Sequence, residues 1–257
     1  MYIHNFNPVA FEFLNFKVYW YSLSYLFGFV FSFFYAKILI NKNFFYLNFD
    51  DFEDFLFWAV ISVIIGGRLG YIIFYNLDLY TKSPIEIFKV WKGGMSFHGG
   101  LCGLILSVLI YSRFKKLDSI ELSNLVSACA PFGIFLGRLA NFINGELIGK
   151  PTYSNWGVLF FENDVLRHPS QIYEAFFEGI VIFVVILFIL LKKYHKSINI
   201  FAIFLILYGF FRFILEFLRE PDFHLGLIIF NLSMGQLLSI PMIIIGIIFL
   251  KKDHVKN

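Results

Sequence analysis

The chain has 257 residues, of which 59% are hydrophobic, 21% aromatic and only 15% charged, with a mean hydropathy of +0.74. A soluble domain carries roughly a quarter charged residues to solvate its surface, so a soluble α/β enzyme, a coiled coil and a disordered chain are excluded and a polytopic membrane protein remains. The formal charge of +3 is too small to argue for nucleic acid.

A helix crosses about 30 Å of hydrocarbon with roughly 20 residues, and seven stretches read as spans: 18–40, 55–75, 96–111, 122–142, 171–191, 199–218 and 226–250. The first reads as a retained anchor rather than a signal peptide, because Glu12 precedes it, only Lys17 charges its flank and no small-residue cleavage site follows. The third is short for a full crossing. Seven spans put the termini on opposite sides, and the basic residues choose the orientation. With the N-terminus outside, the inner segments 41–54, 112–121, 192–198 and 251–257 hold ten Lys or Arg, while the outer segments, almost twice as long in total, hold seven. The positive-inside rule then places the N-terminus outside and the C-terminus in the cytoplasm. No repeat, low-complexity tract or linker marks a second domain, so residues 1–257 read as one all-α integral membrane domain with an extracytoplasmic loop region around 143–170.

Charged side chains in hydrocarbon cost several kcal/mol and point to function. Arg68, Arg138, Glu174, Glu178, Arg212 and Glu216 all fall within spans. Tyr208, Arg212 and Glu216 share one helix face at i, i+4, i+8; Arg138, Asn141 and Asn144 follow i, i+3, i+6; Gln171, Glu174 and Glu178 follow i, i+3, i+7. In the assigned orientation most of these groups, with His98, Tyr21, Tyr25, Ser233 and Gln236, lie towards the outer leaflet, which implies one polar cavity there. Two Arg at that depth suit a phosphate, because guanidinium stays charged and its planar fork matches phosphate oxygens. The segment from Gly137 to Thr152 places Arg138, Asn141, Asn144, Glu146 and permissive glycines where a helix leaves the bilayer, as a head-group site requires.

Structural readings stand beside these. Arg219 reads as a snorkelling side chain, and Gly66, Gly67 and Gly70 beside Arg68 as a close helix contact. Glu216 can neutralise Arg212 one turn away, and Glu174 and Glu178 can pair with an Arg on a neighbouring helix. Trp20, Trp58, Trp91 and Trp156 suit interfacial belts or loops. His98 opens a helix ahead of Gly99 and Gly100, whose bare backbone would let a substrate approach, whereas His4, His195, His224 and His254 read as residues of tails or loops. Cys102 and Cys129 lie in apolar stretches and read as buried packing residues, which excludes a cysteine metal site; no metal or cofactor is expected.

Five runs, in order, resemble the phosphatidylglycerol:prolipoprotein diacylglyceryl transferase family. They are Ser96-Phe97-His98-Gly99-Gly100; Gly137-Arg138-Leu139-Ala140-Asn141-Phe142-Ile143-Asn144-Gly145-Glu146; Arg167-His168-Pro169-Ser170-Gln171-Ile172-Tyr173-Glu174; Phe211 to Asp222, containing Arg212 and Glu216; and Ser233-Met234-Gly235-Gln236. Ala140 stands where the family pattern has Gly, and Ile148 where an aromatic is common. The resemblance implies a multi-pass enzyme of the bacterial cytoplasmic (inner) membrane. Its partners would be phosphatidylglycerol, membrane lipid and the signal peptide of a prolipoprotein, and it would move the sn-1,2-diacylglyceryl group to the lipobox cysteine thiol, releasing glycerol 1-phosphate. By resemblance, Arg138 grips the lipid phosphate, Arg212 neutralises the leaving group, and Asn141, Asn144, Glu146, Tyr25, Tyr208 and Glu216 shape the pocket. His98 is the expected base for the thiol, since the thiolate is the competent nucleophile.

Other membrane classes fit less well. A transporter would show paired repeats and midplane polar groups. A retinal protein needs a lysine in the last span, and an aspartyl protease needs Asp within spans; neither is present.

Overall fold

A computed structural model describes residues 2–14, 16–75, 77–89, 93–161, 165–196, 198–221 and 230–256. Trp91, Asp222, His224 and the first residues of the last predicted span lie outside the described residues. The chain forms two compact units, Met1–Tyr35 with Asn124–Asn257, and Ala36–Ser123.

In chain order the short strands β1 (Tyr2–Ile3), β2 (Val9–Phe13) and β3 (Phe16–Tyr19) precede helix α1 (Trp20–Asn41). Helices α2 (Phe49–Tyr75), α3 (Leu77–Lys82), α4 (Phe97–Lys115) and α5 (Ser119–Asn144) follow, with a 3₁₀ turn at Pro84–Phe88 between α3 and α4. Next come β4 (Val158–Leu159), α6 (Ser170–Glu174), a π-helical segment (Ala175–Val181), α7 (Ile182–Leu191), α8 (Ile200–Leu215) and α9 (Met234–Lys256). Among the described residues five stretches are long and apolar enough to cross a bilayer: Trp20–Asn41, Phe49–Ile73, Ser119–Asn144, Ser170–Leu191 and Met234–Lys251. Helix α4 falls outside that set, and so does α8, which has only 16 residues. The chain is therefore mostly helical and of polytopic membrane type.

Local chemistry sets several helix ends. Asp50 and Asp51 occupy the first turn of α2, where the helix dipole favours anions. Ser96 caps α4 by accepting from the Gly99 N–H at 3.2 Å, and Asn199 caps α8 by accepting from Ala202 at 3.1 Å.

In the second unit α2 and α4 pack backbone to backbone. A Cβ on Gly99 would meet the Gly66 carbonyl, with Gly70 Cα at 2.9 Å, and one on Gly103 would meet the Ser62 carbonyl. Small residues let helices approach this closely without a hydrophobic driving force. The glycine after His98 is thus occupied by α2, which corrects the expectation that it is bare for a substrate.

The first unit is built on α1, α5 and the α6–α7 helix. Phe132 stacks on Phe31 with centroids 3.9 Å apart, and Phe183 completes the cluster at 5.9 Å from Phe31. A Cβ on Gly179 would lie 2.6 Å from Phe135 Cβ, so the π segment rests directly on α5. Helix α9 packs on α8 through Gly209 and Gly246. Outside the helices, β1 pairs in parallel with β4, while β2 and β3 form an antiparallel hairpin with an irregularity between Val9 and Phe11. Buried Cys129 fits its expectation. Cys102 does not: it lies on the exposed face of α4, where an apolar neighbourhood in sequence signals lipid rather than protein interior.

Candidate active site

The charged residues of the first unit converge at helix ends. Arg138 lies in the last two turns of α5, Glu174 ends α6, Glu178 belongs to the π segment, and Arg212 and Glu216 lie in and just after the last turn of α8. The guanidinium of Arg138 holds Glu174 Oε2 through Nη1 at 2.8 Å and Glu178 Oε2 through Nη2 at 3.0 Å and Nε at 3.2 Å. Arg212 holds Glu174 Oε1 through Nη1 at 2.9 Å and Glu216 Oε2 through Nη2 at 2.7 Å. Glu174 therefore bridges both guanidinium groups at hydrogen-bonding distance, and Glu178 reaches Arg212 as well, at 3.7 Å. Glu174 and Glu178 are fully buried, whereas the side chains of Arg138 and Arg212 keep 13% and 12% exposure. The acids form a floor that orients two partly accessible cations.

The π segment helps build that floor. A widened turn changes where side chains four apart emerge, and such turns concentrate at functional sites. Here Glu174 and Glu178 both reach Arg138.

The segment following α5 is pinned from several sides. Gly145, at φ +67°, and Leu147, at φ +55°, turn the chain, and Asn141 and Asn144 donate to the two carboxylate oxygens of Glu146 at 3.3 and 3.2 Å. Buried Gln171 donates to the Glu146 carbonyl at 2.5 Å, and Ser170 to the Leu147 carbonyl at 3.0 Å. From the N-terminus, the ring Nε2–H of His4 donates to the Phe142 carbonyl at 2.7 Å. His4, in the N-terminal segment as expected, is thus docked against the end of α5. Gly149 is required by packing, because a Cβ there would meet the His168 carbonyl.

Arg219 also departs from expectation. Helix α8 ends at Leu215, and the chain turns back to pair with 148–150, through the Lys150 N–H to the Leu218 carbonyl at 2.8 Å and the Glu220 N–H to the Ile148 carbonyl at 3.1 Å. That pairing folds Arg219 inside at 6% exposure, 4.0 Å from Glu216, instead of letting it snorkel.

Of the residues singled out in sequence, Arg138, Arg212 and Glu216 are joined through Glu174, while Asn141, Asn144 and Glu146 form a separate hydrogen-bonded group. Tyr208, one turn before Arg212, is within electrostatic reach of Arg138, Arg212, Glu174 and Glu178. Tyr25 is 43% exposed, with its hydroxyl 3.4 Å from that of Tyr21. His98 belongs to the second unit, on the exposed face of the first turn of α4. Arg68, also in that unit, is structural: it donates to the carbonyls of Glu86, Ile87, Lys89, Gly93 and Gly94 at 2.5–3.3 Å and lies over Tyr80. Gln171, Glu174 and Glu178, marked in sequence by their i, i+3, i+7 spacing but given no role in the pocket, contact its residues directly, and Ser170, which carries no such signal, pins the Leu147 carbonyl beside it. Among the described residues no three His, Cys, Asp or Glu side chains gather as a metal site would require.

Comparison with known proteins adds a separate line of observation. The profile of the family described as prolipoprotein diacylglyceryl transferase matches residues 8–251. The chain is 44% identical over 257 residues to a phosphatidylglycerol--prolipoprotein diacylglyceryl transferase of Rickettsia bellii (strain OSU 85-389), covering 98% of this chain and 97% of the relative. It is 47% identical over 256 residues to the protein of that name from Ehrlichia canis (strain Jake), with 98% and 97% coverage. The Wolbachia pipientis subsp. Culex pipiens (strain wPip) protein of the same name is 47% identical over 248 residues, with 94% and 93% coverage.

Proposed function

The chain belongs to the prolipoprotein diacylglyceryl transferase family, and on that premise we propose that it transfers the sn-1,2-diacylglyceryl group of phosphatidylglycerol to the lipobox cysteine of prolipoproteins, the first step of lipoprotein maturation. The observation that carries the reading onto this site is the bridging of Arg138 and Arg212 by one carboxylate. Two guanidinium groups close enough to share Glu174 are close enough to share one phosphate, and guanidinium binds either anion through the same fork.

In the reaction the cysteine thiolate attacks the glyceryl carbon that carries the phosphate ester. The carbon–oxygen bond breaks, a thioether forms, and glycerol 1-phosphate leaves with the bonding pair. Charge develops on the departing phosphate, where Arg212 stabilises it while Arg138 holds the head group; preorganised cations act most strongly where water is scarce. The thiol proton needs an acceptor, and the family resemblance assigns that role to His98. Asn141, Asn144, Glu146, Tyr25, Tyr208 and Glu216 shape the pocket around the head group. The site opens as a polar cavity towards the outer leaflet of the bacterial inner membrane. Seven spans place the N-terminus and the 143–170 loop region outside and the C-terminus in the cytoplasm, in one integral membrane domain.

The test uses purified protein in phosphatidylglycerol micelles with a synthetic lipobox peptide, following glycerol phosphate release. Release that requires both the peptide cysteine and Arg138, and that Arg138→Ala lowers by about a hundredfold, supports the reading. No release from folded wild type refutes it.

A further inference from the structure

Ser233 and Gln236 fall within the predicted polar cavity but have no assigned role, and the start of α9 holds one of the site's carboxylates. Ser233, just before α9, is buried at 4% exposure. Its hydroxyl donates to Glu216 Oε1 at 3.0 Å and accepts from the Gln236 N–H at 3.3 Å, while Gln236 Oε1 accepts from the Ser233 N–H at 3.1 Å. This is a reciprocal capping box, with one addition. A hydroxyl has one proton and two lone pairs, so Ser233 caps the helix with a lone pair and spends its proton on Glu216. Gly235 completes the seat, since a Cβ there would lie 2.8 Å from both Cδ and Oε2 of Glu216 and 2.9 Å from Oε1. The carboxylate therefore rests directly on the N-terminal turn of α9, where N–H groups and the helix dipole favour an anion. Its other oxygen holds Arg212 Nη2 at 2.7 Å.

We propose that Ser233 and Gly235 are positioning residues for Arg212: they fix the Glu216 carboxylate, and Glu216 fixes the guanidinium. The proposal rests on the role assigned to Arg212 in the transfer reaction. Without the Ser233 hydroxyl, Glu216 Oε1 loses a direct donor and the carboxylate can rotate, leaving Arg212 oriented from the α6 and π-segment side by Glu174 at 2.9 Å and Glu178 at 3.7 Å.

The experiment compares Ser233→Ala, Ser233→Thr, Glu216→Gln and the Ser233→Ala/Glu216→Gln double variant in the glycerol phosphate assay. Ser233→Ala is expected to lower kcat by about tenfold with KM for the peptide unchanged, as a slight misplacement of a catalytic group does. Ser233→Thr keeps the hydroxyl and restores most of that loss. In the Glu216→Gln background Ser233→Ala adds less than about twofold, because two residues acting through one contact are not additive. If Ser233→Ala does not fold, Ser233→Cys, similar in shape but a weak donor, makes the same comparison. A near-native kcat for Ser233→Ala, failure of Thr to rescue, or a loss that adds in full to that of Glu216→Gln overturns the proposal. Absence of release from wild type is a different result, and overturns the transferase reading together with this role.

Discussion

The substitution Glu174→Gln separates holding the two arginines from merely neutralising them. Glu174 is fully buried and makes ion pairs of 2.8 and 2.9 Å to Arg138 and Arg212. Removing one partner of a buried pair costs about 3–5 kcal/mol. Gln keeps one acceptor oxygen and so still serves one of the two guanidinium groups, while its amide N–H₂ faces the other; about half the loss, some 2 kcal/mol, is expected in stability. The kinetic signature is more specific. Arg138, Arg212 and Arg219 are balanced by Glu174, Glu178 and Glu216, so the variant carries one excess positive charge and an anionic lipid binds no worse. Orientation of the pair is lost, and kcat falls by about ten- to a hundredfold, as with other misplaced catalytic groups. The assay is steady-state glycerol phosphate release at varied phosphatidylglycerol, beside unfolding of both proteins in denaturing detergent. A KM that rises severalfold at unchanged kcat would refute the reasoning, and so would native kinetics with the stability loss present.

Three further outcomes are expected. Arg68→Met removes donors from five backbone carbonyls, and since hydrogen bonds to charged groups are worth about 1.5–3 kcal/mol each where buried, limited proteolysis should cut at residues 86–89 more readily in the variant than in wild type. Gly99→Ala places a methyl against the Gly66 carbonyl, so overpacking should lower stability by about 1–3 kcal/mol, measured by detergent unfolding, with Gly100→Ala, whose Cβ meets Val63 at 3.5 Å, far milder. His98→Gln should lower turnover at neutral pH and flatten its pH dependence; near-native turnover with an unchanged profile would end the base assignment.

How much was legible beforehand differs by level for a physical reason. The cost of a polar backbone and charged side chains in hydrocarbon applies to any helix wherever it packs, so composition identifies the membrane class, and charge placed within apolar stretches draws attention to Arg138, Arg212, Glu174, Glu178 and Glu216. Spacing within one helix is likewise local, and the pairing of Glu216 with Arg212 at i, i+4 could be read directly. What no single segment carries is the choice of partner across helices. That Glu174 bridges Arg138 and Arg212, that Ser233 seats Glu216, that Gly99 packs against α2 and that Arg68 binds the carbonyls of Glu86, Ile87, Lys89, Gly93 and Gly94 all depend on how separate elements pack. The π segment carries no local signature in sequence; it lies where Gly179 packs directly against Phe135 of α5. Arg219 was misread for the same reason: side-chain hydrophobicity predicts a residue near a helix end to reach for water, and only the backbone pairing of 148–150 with 218–220 decides that it is folded inside.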